Sequence, residues 1–253
     1  MTDPLISIRL GNPGVAPQLL VSVRNLEEAT IAHESGVDLI DLKEPNHGSL
    51  GMVELATAQQ IAEALPQATL SLALGELADW KQSASMMQIP GAFRFLKMGL
   101  SGEVDNKNWL DEWVSLREKI DDAASKSFDW IAVIYADHEL AKSPTPDAII
   151  EAAIKTGCAG VLFDTWSKQA GSLLDQLSVD RLKAYRTIIH KAGIMTALAG
   201  SLRQEHLSEL RPVEADVMAM RGAVCEENNR VGSLSPSRIT AIQEEIRFPL
   251  GQQ

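Results

Sequence analysis

Short apolar runs alternate along the chain with longer stretches in which apolar residues return every three or four positions. The runs Leu19–Val23, Asp38–Leu42, Thr69–Leu74, Phe93–Met98, Trp130–Tyr135, Gly160–Phe163, Met195–Ala199 and Asp216–Met220 predict strands, being short, rich in branched and aromatic residues and bounded by turn residues. The stretches Leu26–Ser35, Val53–Leu65, Leu77–Gln88, Lys107–Ala124, Pro146–Thr156, Val179–Lys191, Gln204–Glu209 and Pro236–Ile246 predict helices. Asn25 is placed to cap the first, with Glu27 and Glu28 in its first turn; Pro66 stops the second, and Gly193 follows the end of the sixth.

Eight strands, each followed by a helix and with no linker between units, predict a single closed (β/α)8 barrel, the TIM-barrel fold, with a parallel eight-stranded sheet. Residues 1–253 are expected to form one domain, with Met1–Gln18 as an extension before the first strand. An open doubly wound sheet is the alternative. It would want a glycine-rich phosphate loop after the first strand, and Ser22–Leu26 contains no glycine.

One stretch departs from plain core patterning. Val37–Gly51, VDLIDLKEPNHGSLG, begins as a buried strand and then places Asp41 and Lys43 two residues apart, hence on one face. Pro45 ends the strand, and a polar loop follows. A lysine and an aspartate at the end of a buried strand are either a structural ion pair or a desolvated, nucleophilic amine with its acid.

In a barrel of this kind the active site lies at the C-terminal ends of the strands. Strand two brings Asp41 and Lys43 there, strand four Lys97, strand five Tyr135, Asp137 and His138, and strand six Asp164, with Lys168 four residues on. Strand seven ends in Gly200 and Ser201, and strand eight in Arg221 and Gly222. Lysines and carboxylates converging on one mouth suit imine chemistry on a carbonyl compound: one amine attacks, a second cation lowers its pKa, and carboxylates move protons. The loops after strands seven and eight are the usual phosphate site of the fold, so Gly200, Ser201, Arg221 and Gly222 are candidates to bind a substrate phosphate. Their alternative role is simply to turn the chain. His33, His190 and His206 fall on helices, where surface or packing roles are expected; His47 and His138 lie nearer the mouth and are weaker candidates for proton transfer.

Composition narrows the partners. The chain has 253 residues, 45% hydrophobic and 23% charged, which is ordinary for a globular protein. A net charge of −11 argues against nucleic acid and anionic membrane surfaces as partners, while leaving room for a local basic pocket. Cys158 and Cys225 match no metal spacing and read as reduced thiols. No cluster suggests a metal, no apolar run suggests a membrane span, and the N-terminus does not read as a signal peptide, so a cytoplasmic location is expected.

Several of these stretches together carry a resemblance. LLVSV, DLIDLKEPNHGSLG, FLKMGLSG, FDTWSKQAG, ALAGS with its following helix and RGAVC resemble the (5-formylfuran-3-yl)methyl phosphate synthase family, also called 4-(hydroxymethyl)-2-furancarboxaldehyde-phosphate synthase, of methanofuran biosynthesis. The likeness runs over most of the chain. It implies a class I aldolase-like lyase that condenses two molecules of glyceraldehyde 3-phosphate through a lysine Schiff base, with loss of phosphate and water and no cofactor. By resemblance Lys43 is the Schiff-base lysine and Lys97 the proton acceptor, while Asp41, Asp164 and Lys168 occupy the positions of the family's other active-site residues. A homo-oligomer is expected. Two stretches depart from the family pattern, the leading segment Met1–Gln18 and the shorter, more polar Ser83–Gly91; both bear on oligomer contacts more than on chemistry. Two other classes stay open: a different phosphosugar lyase or isomerase on the same barrel, and a non-catalytic phosphosugar-binding protein.

Overall fold

The computed structural model of the protein describes residues 15–81 and 88–247. Eight strands close into a barrel in sequence order, every neighbouring pair parallel. They are β1 (Gln18–Val23), β2 (Leu39–Leu42), β3 (Leu70–Glu76), β4 (Phe95–Gly99), β5 (Asp129–Tyr135), β6 (Gly160–Asp164), β7 (Met195–Leu198) and β8 (Val217–Met220). The helices are α1 (Leu26–Glu34), α2 (Leu55–Ala64), α3 (Leu77–Lys81), α4 (Trp109–Ala124), α5 (His138–Ala141), α6 (Pro146–Lys155), α7 (Leu173–Gln176), α8 (Val179–Lys191), α9 (His206–Leu210) and α10 (Pro236–Arg247).

The period-two alternation of the strands separates two apolar layers. One set of side chains, including Leu19, Val21, Ile40, Leu42, Leu96 and Phe163, packs outward against the helices. The other, including Leu20, Leu39, Phe95, Val133, Leu162 and Val217, fills the barrel interior. Because the interior is packed below, polar residues on the same inward face are left at the strands' C-terminal ends. Helix α1 starts where Asn25 accepts a hydrogen bond from the Glu28 N–H at 3.0 Å, as its residue type leads one to expect.

The differences from the sequence reading have local causes. Helices α5 and α7 are one turn each, too short to leave a periodic signal, and α7 is held by a Ser172–Asp175 capping box. The described part of the third predicted helix ends at Lys81; its continuation, and residues 83–87 of the Ser83–Gly91 departure, lie outside the described residues. Of the leading extension, residues 1–14 likewise lie outside them, and Gln18 already belongs to β1, paired with Val217 of β8. Among the described residues no helix is long and apolar enough to cross a membrane.

Candidate active site

A cavity of about 520 Å³ opens at the C-terminal ends of the strands, a size usual for small-molecule sites. Asp41, Lys43, Lys97, Asp164, Lys168, Gly200, Ser201, Arg221 and Gly222 all line it. His47, His138, Tyr135 and Asp137 do not.

The floor is a polar ladder. Ser22, Asp41 and Ser71 sit side by side on β1, β2 and β3, all facing inward and all buried. Lys97 on β4 is 2% exposed; its ammonium donates to Asp41 Oδ1 and, at 2.9 Å, to Ser71 Oγ. The Ser22 hydroxyl donates to the other Asp41 oxygen at 3.2 Å. Burial pushes the Lys97 pKa down; the Asp41 carboxylate opposes this, and the neighbouring charge of Lys43 adds to the downward push.

Above the floor, Asp164 at the end of β6 is shared by two lysines. Lys168 Nζ lies 3.0 Å from its Oδ1 and Lys43 Nζ 3.6 Å from its Oδ2. Burial works to raise the Asp164 pKa, but Lys168 and Lys43 outweigh it and bring the value down to about 2. Burial lowers the pKa of Lys168, against the pull of Asp164, and the charges of Lys43 and Arg230 lower it further. Lys168 is also fastened by hydrogen bonds to the Thr165 carbonyl and to Ser49 Oγ, the latter at 3.2 Å. Lys43, by contrast, makes no hydrogen bond through its ammonium among the described residues, and it faces the cavity.

The pairing differs from the one adjacency in sequence suggests. Asp41 and Lys43 share a face, yet Asp41 is taken by Lys97 and Lys43 turns to Asp164. Residues two apart on a strand are separated by roughly 6.6 Å along it, so a partner from across the barrel meets the carboxylate more directly than the neighbour on the same strand.

The loop after β2 completes this half of the mouth. Glu44 N–H donates to the Gly51 carbonyl at 2.8 Å, and Gly75 N–H to the Leu50 carbonyl at 2.8 Å. This closure drives Ser49 inward, where its hydroxyl lies 2.9 Å from the Thr165 carbonyl and 3.3 Å from Asp164 Oδ2. A Cβ at Gly51 would lie 2.3 Å from the Glu44 carbonyl oxygen, so glycine at position 51 is a steric requirement of this loop. On the far side, Asp137 accepts from the N–H groups of Trp166 at 2.7 Å and Ser167 at 2.8 Å, holding the loop that carries Lys168. Tyr135, fully buried, donates to Glu76 at 2.5 Å.

The other half of the mouth comes from the loops after β7 and β8. Gly200 has φ +91 and a Cβ there would lie 3.1 Å from Thr165 Cγ2, so glycine suits the turn on two counts. Arg221 lines the cavity on this side. All five N–H donors of its guanidinium are engaged within the protein. Nε donates to the Arg230 carbonyl at 2.8 Å, Nη1 to the Ser22 carbonyl at 2.9 Å and Glu28 Oε2 at 2.6 Å, and Nη2 to Glu28 Oε1 at 2.9 Å and the Gly232 carbonyl at 3.0 Å. Gly222 borders the cavity but is not forced by crowding, since a Cβ there would meet only Asn228 O at 3.4 Å.

Several lining residues escaped the sequence reading. Ser22 carried a signal, as a polar member of an apolar strand on the inward face. Arg203, His206, Asn228 and Arg230 carried none, since they come from loops and a helix start whose path the local pattern does not specify. Among the described residues, no group of three or more His, Cys, Asp or Glu side chains could hold a metal ion.

A family model for 4-HFC-P synthase matches residues 19–243. Similar proteins named (5-formylfuran-3-yl)methyl phosphate synthase occur in Methanococcus maripaludis, 31% identical over 84% of this chain and 91% of that one. The relative from Methanobrevibacter smithii is 30% identical over 89% and 97%, and that from Archaeoglobus fulgidus 28% identical over 90% and 99%. Among solved structures, phosphoribosyl anthranilate isomerase from Thermotoga maritima superposes with a TM-score of 0.57 at 15% identity, covering 91% of this chain and 98% of that one. KGPDC from Streptococcus mutans gives 0.56 at 13%, covering 92% and 98%. At such identities the structural likeness is one of fold.

Proposed function

The chain belongs to the 4-HFC-P synthase family, and from that premise we propose that it condenses two molecules of glyceraldehyde 3-phosphate to (5-formylfuran-3-yl)methyl phosphate, as a step of methanofuran biosynthesis. The observation that carries this reading is the set of three lysines gathered on two buried carboxylates at the barrel mouth. The overall conversion balances as two triose phosphates giving the furan phosphate, one phosphoric acid and two waters. No net oxidation or reduction occurs, so the acid–base and nucleophilic groups of the chain suffice for the stoichiometry.

Lys43 is the nucleophile in this scheme. Its amine faces the cavity without a hydrogen bond among the described residues, so attack on the aldehyde carbon breaks no tight contact. Proton transfer to the carbonyl oxygen gives a carbinolamine, and loss of water gives the imine. Lys97 accepts the proton from the carbon next to the imine. Burial favours its neutral form, and Asp41 with Ser71 holds it in place. The resulting enamine adds through that carbon to the carbonyl of the second aldehyde, forming the carbon–carbon bond. Lys168 and Asp164 then serve the eliminations that release phosphate and water, one donating a proton to a leaving oxygen and the other accepting one from carbon. The loops carrying Gly200, Ser201 and Gly222 border the space where the substrate phosphates are held.

Incubation with glyceraldehyde 3-phosphate, read by mass spectrometry, should yield the furan phosphate. Borohydride added during turnover should leave a reduced adduct on Lys43. A label on Lys97 or Lys168 instead would overturn the assigned roles, and absence of any furan phosphate would overturn the reaction. A binding protein without catalysis would retain the aldehyde and form no trapped adduct.

A further inference from the structure

We propose that Arg230, rather than Arg221, supplies the guanidinium that binds the phosphate of the aldehyde substrate, and that Arg24, Glu28 and Arg221 form the frame that aims it. The proposal rests on the phosphorylated-substrate reading above.

Two arginines near the cavity are in opposite states. Every donor of Arg221 is bonded within the protein, as described. Arg230 lines the same cavity, half-buried, and its guanidinium has neither a hydrogen bond nor a carboxylate within salt-bridge distance among the described residues. A half-buried guanidinium remains charged at any ordinary pH and needs an anionic or polar acceptor. Its neighbours sharpen the need. Lys168 lies close enough for the Arg230 charge to act on its pKa, and Lys43 lines the same wall. The cavity lining as a whole carries Lys43, Lys97, Lys168, Arg203, Arg221 and Arg230 against Asp41, Asp164 and Asp175. That is a cationic excess in a chain of net charge −11. A dianionic phosphate ester meets both conditions: it neutralises the excess and accepts paired hydrogen bonds from a planar fork.

The frame explains why Arg230 is presented to the cavity. Three successive carbonyls of its loop are held by two other guanidiniums. Arg221 Nε takes the Arg230 carbonyl at 2.8 Å, Arg24 Nη1 the Val231 carbonyl at 2.7 Å, and Arg221 Nη2 the Gly232 carbonyl at 3.0 Å. Both guanidiniums are in turn seated on Glu28, 4% exposed, in the first turn of α1. The backbone around residue 230 is thus fixed from behind, while its side chain stays free on the cavity side.

The test compares trapping of two aldehydes that differ only in the phosphate. With glyceraldehyde 3-phosphate, Arg230→Ala should raise the concentration giving half-maximal borohydride-trapped adduct by about 10- to 100-fold, the loss expected for charge-assisted hydrogen bonds. With unphosphorylated glyceraldehyde the half-maximal concentration should stay within about twofold, because no phosphate is there to miss the guanidinium. Arg230→Lys should fall between wild type and Arg230→Ala for the phosphorylated compound, since a point charge replaces only part of the fork. An equal shift for both aldehydes, or no shift for either, overturns the proposal. Calorimetric titration with inorganic phosphate separates its failure from that of the Schiff-base reading. If the wild-type protein traps no aldehyde, weaker phosphate binding by Arg230→Ala still supports the anion site, and equal binding overturns it.

Discussion

The two halves of the barrel mouth hold their cations in opposite ways. On the β2, β4 and β6 side, three lysines share two aspartates, and burial lowers the pKa of Lys97 and Lys168. On the β1 and β8 side, two arginines share one glutamate and hold the carbonyls of a loop. An ammonium loses its proton at accessible pH and then becomes a nucleophile or a base, whereas a guanidinium keeps its charge. In the proposed function the lysine half supplies the chemistry, and the arginine half supplies fixed geometry and fixed charge. Burial does different work in each. It destabilises the charged form of an amine, but it only strengthens the hydrogen bonds of a guanidinium whose donors are all satisfied.

Exchanging the cation type at the proposed Schiff-base position is the harshest way to break this contrast. Lys43→Arg retains the charge and removes the nucleophile. The trapped adduct should vanish, and turnover should fall by about 10⁴-fold or more, the scale of losing a covalent nucleophile. Steady-state assays and mass spectrometry of the reduced protein measure both, and an adduct surviving elsewhere in the chain would end the assignment.

The next test concerns stability. Lys97→Met leaves the Asp41 carboxylate buried without its cation, and urea unfolding should report a loss of about 3–5 kcal/mol. The double variant Asp41→Asn/Lys97→Met removes both charges and should recover most of that loss. If the double variant is as unstable as the sum of the two single variants, the pair is not coupled and the floor of the site has been misread.

A smaller effect should appear in acid. The folded-state pKa of Asp164, about 2, lies below its ordinary value of 3.8, so folding favours the ionised form. The contribution, about 2 kcal/mol, is fully present above pH 3.8 and is lost as the pH falls through about 2. Unfolding free energies of the wild type should therefore fall between pH 4 and pH 2, with a shallower slope in Asp164→Asn. Identical slopes would show that the two lysines do not act on this carboxylate.

Much of the fold and of the lysine half was legible along the chain. LIDLKEP announces an inward Asp41 and Lys43 at a strand end, and FLKMG does the same for Lys97. Alternation of side chains along a strand decides the face, and the turn residues that follow mark the C-terminal end. GLSG and ALAGS mark loops in the right places, although Gly222 turned out to be under no steric pressure. The arginine half was less legible. Arg221 stands where a phosphate ligand is expected, and what occupies its donors is Glu28, 193 residues away in sequence, together with backbone carbonyls.

By itself, the sequence determined the eight βα units, their order, and the inward face of Asp41, Lys43 and Lys97, because these depend on local periodicity and on breaks that neighbouring residues impose. Tertiary structure alone decided who pairs with whom. Asp41 meets Lys97 instead of Lys43, Asp164 is divided between two lysines, and Glu28 binds Arg221 while leaving Arg230 unpaired. The physical reason is that burial and ion pairing act over a few ångströms of space, and the closure of the barrel sets those distances between residues that no local pattern connects.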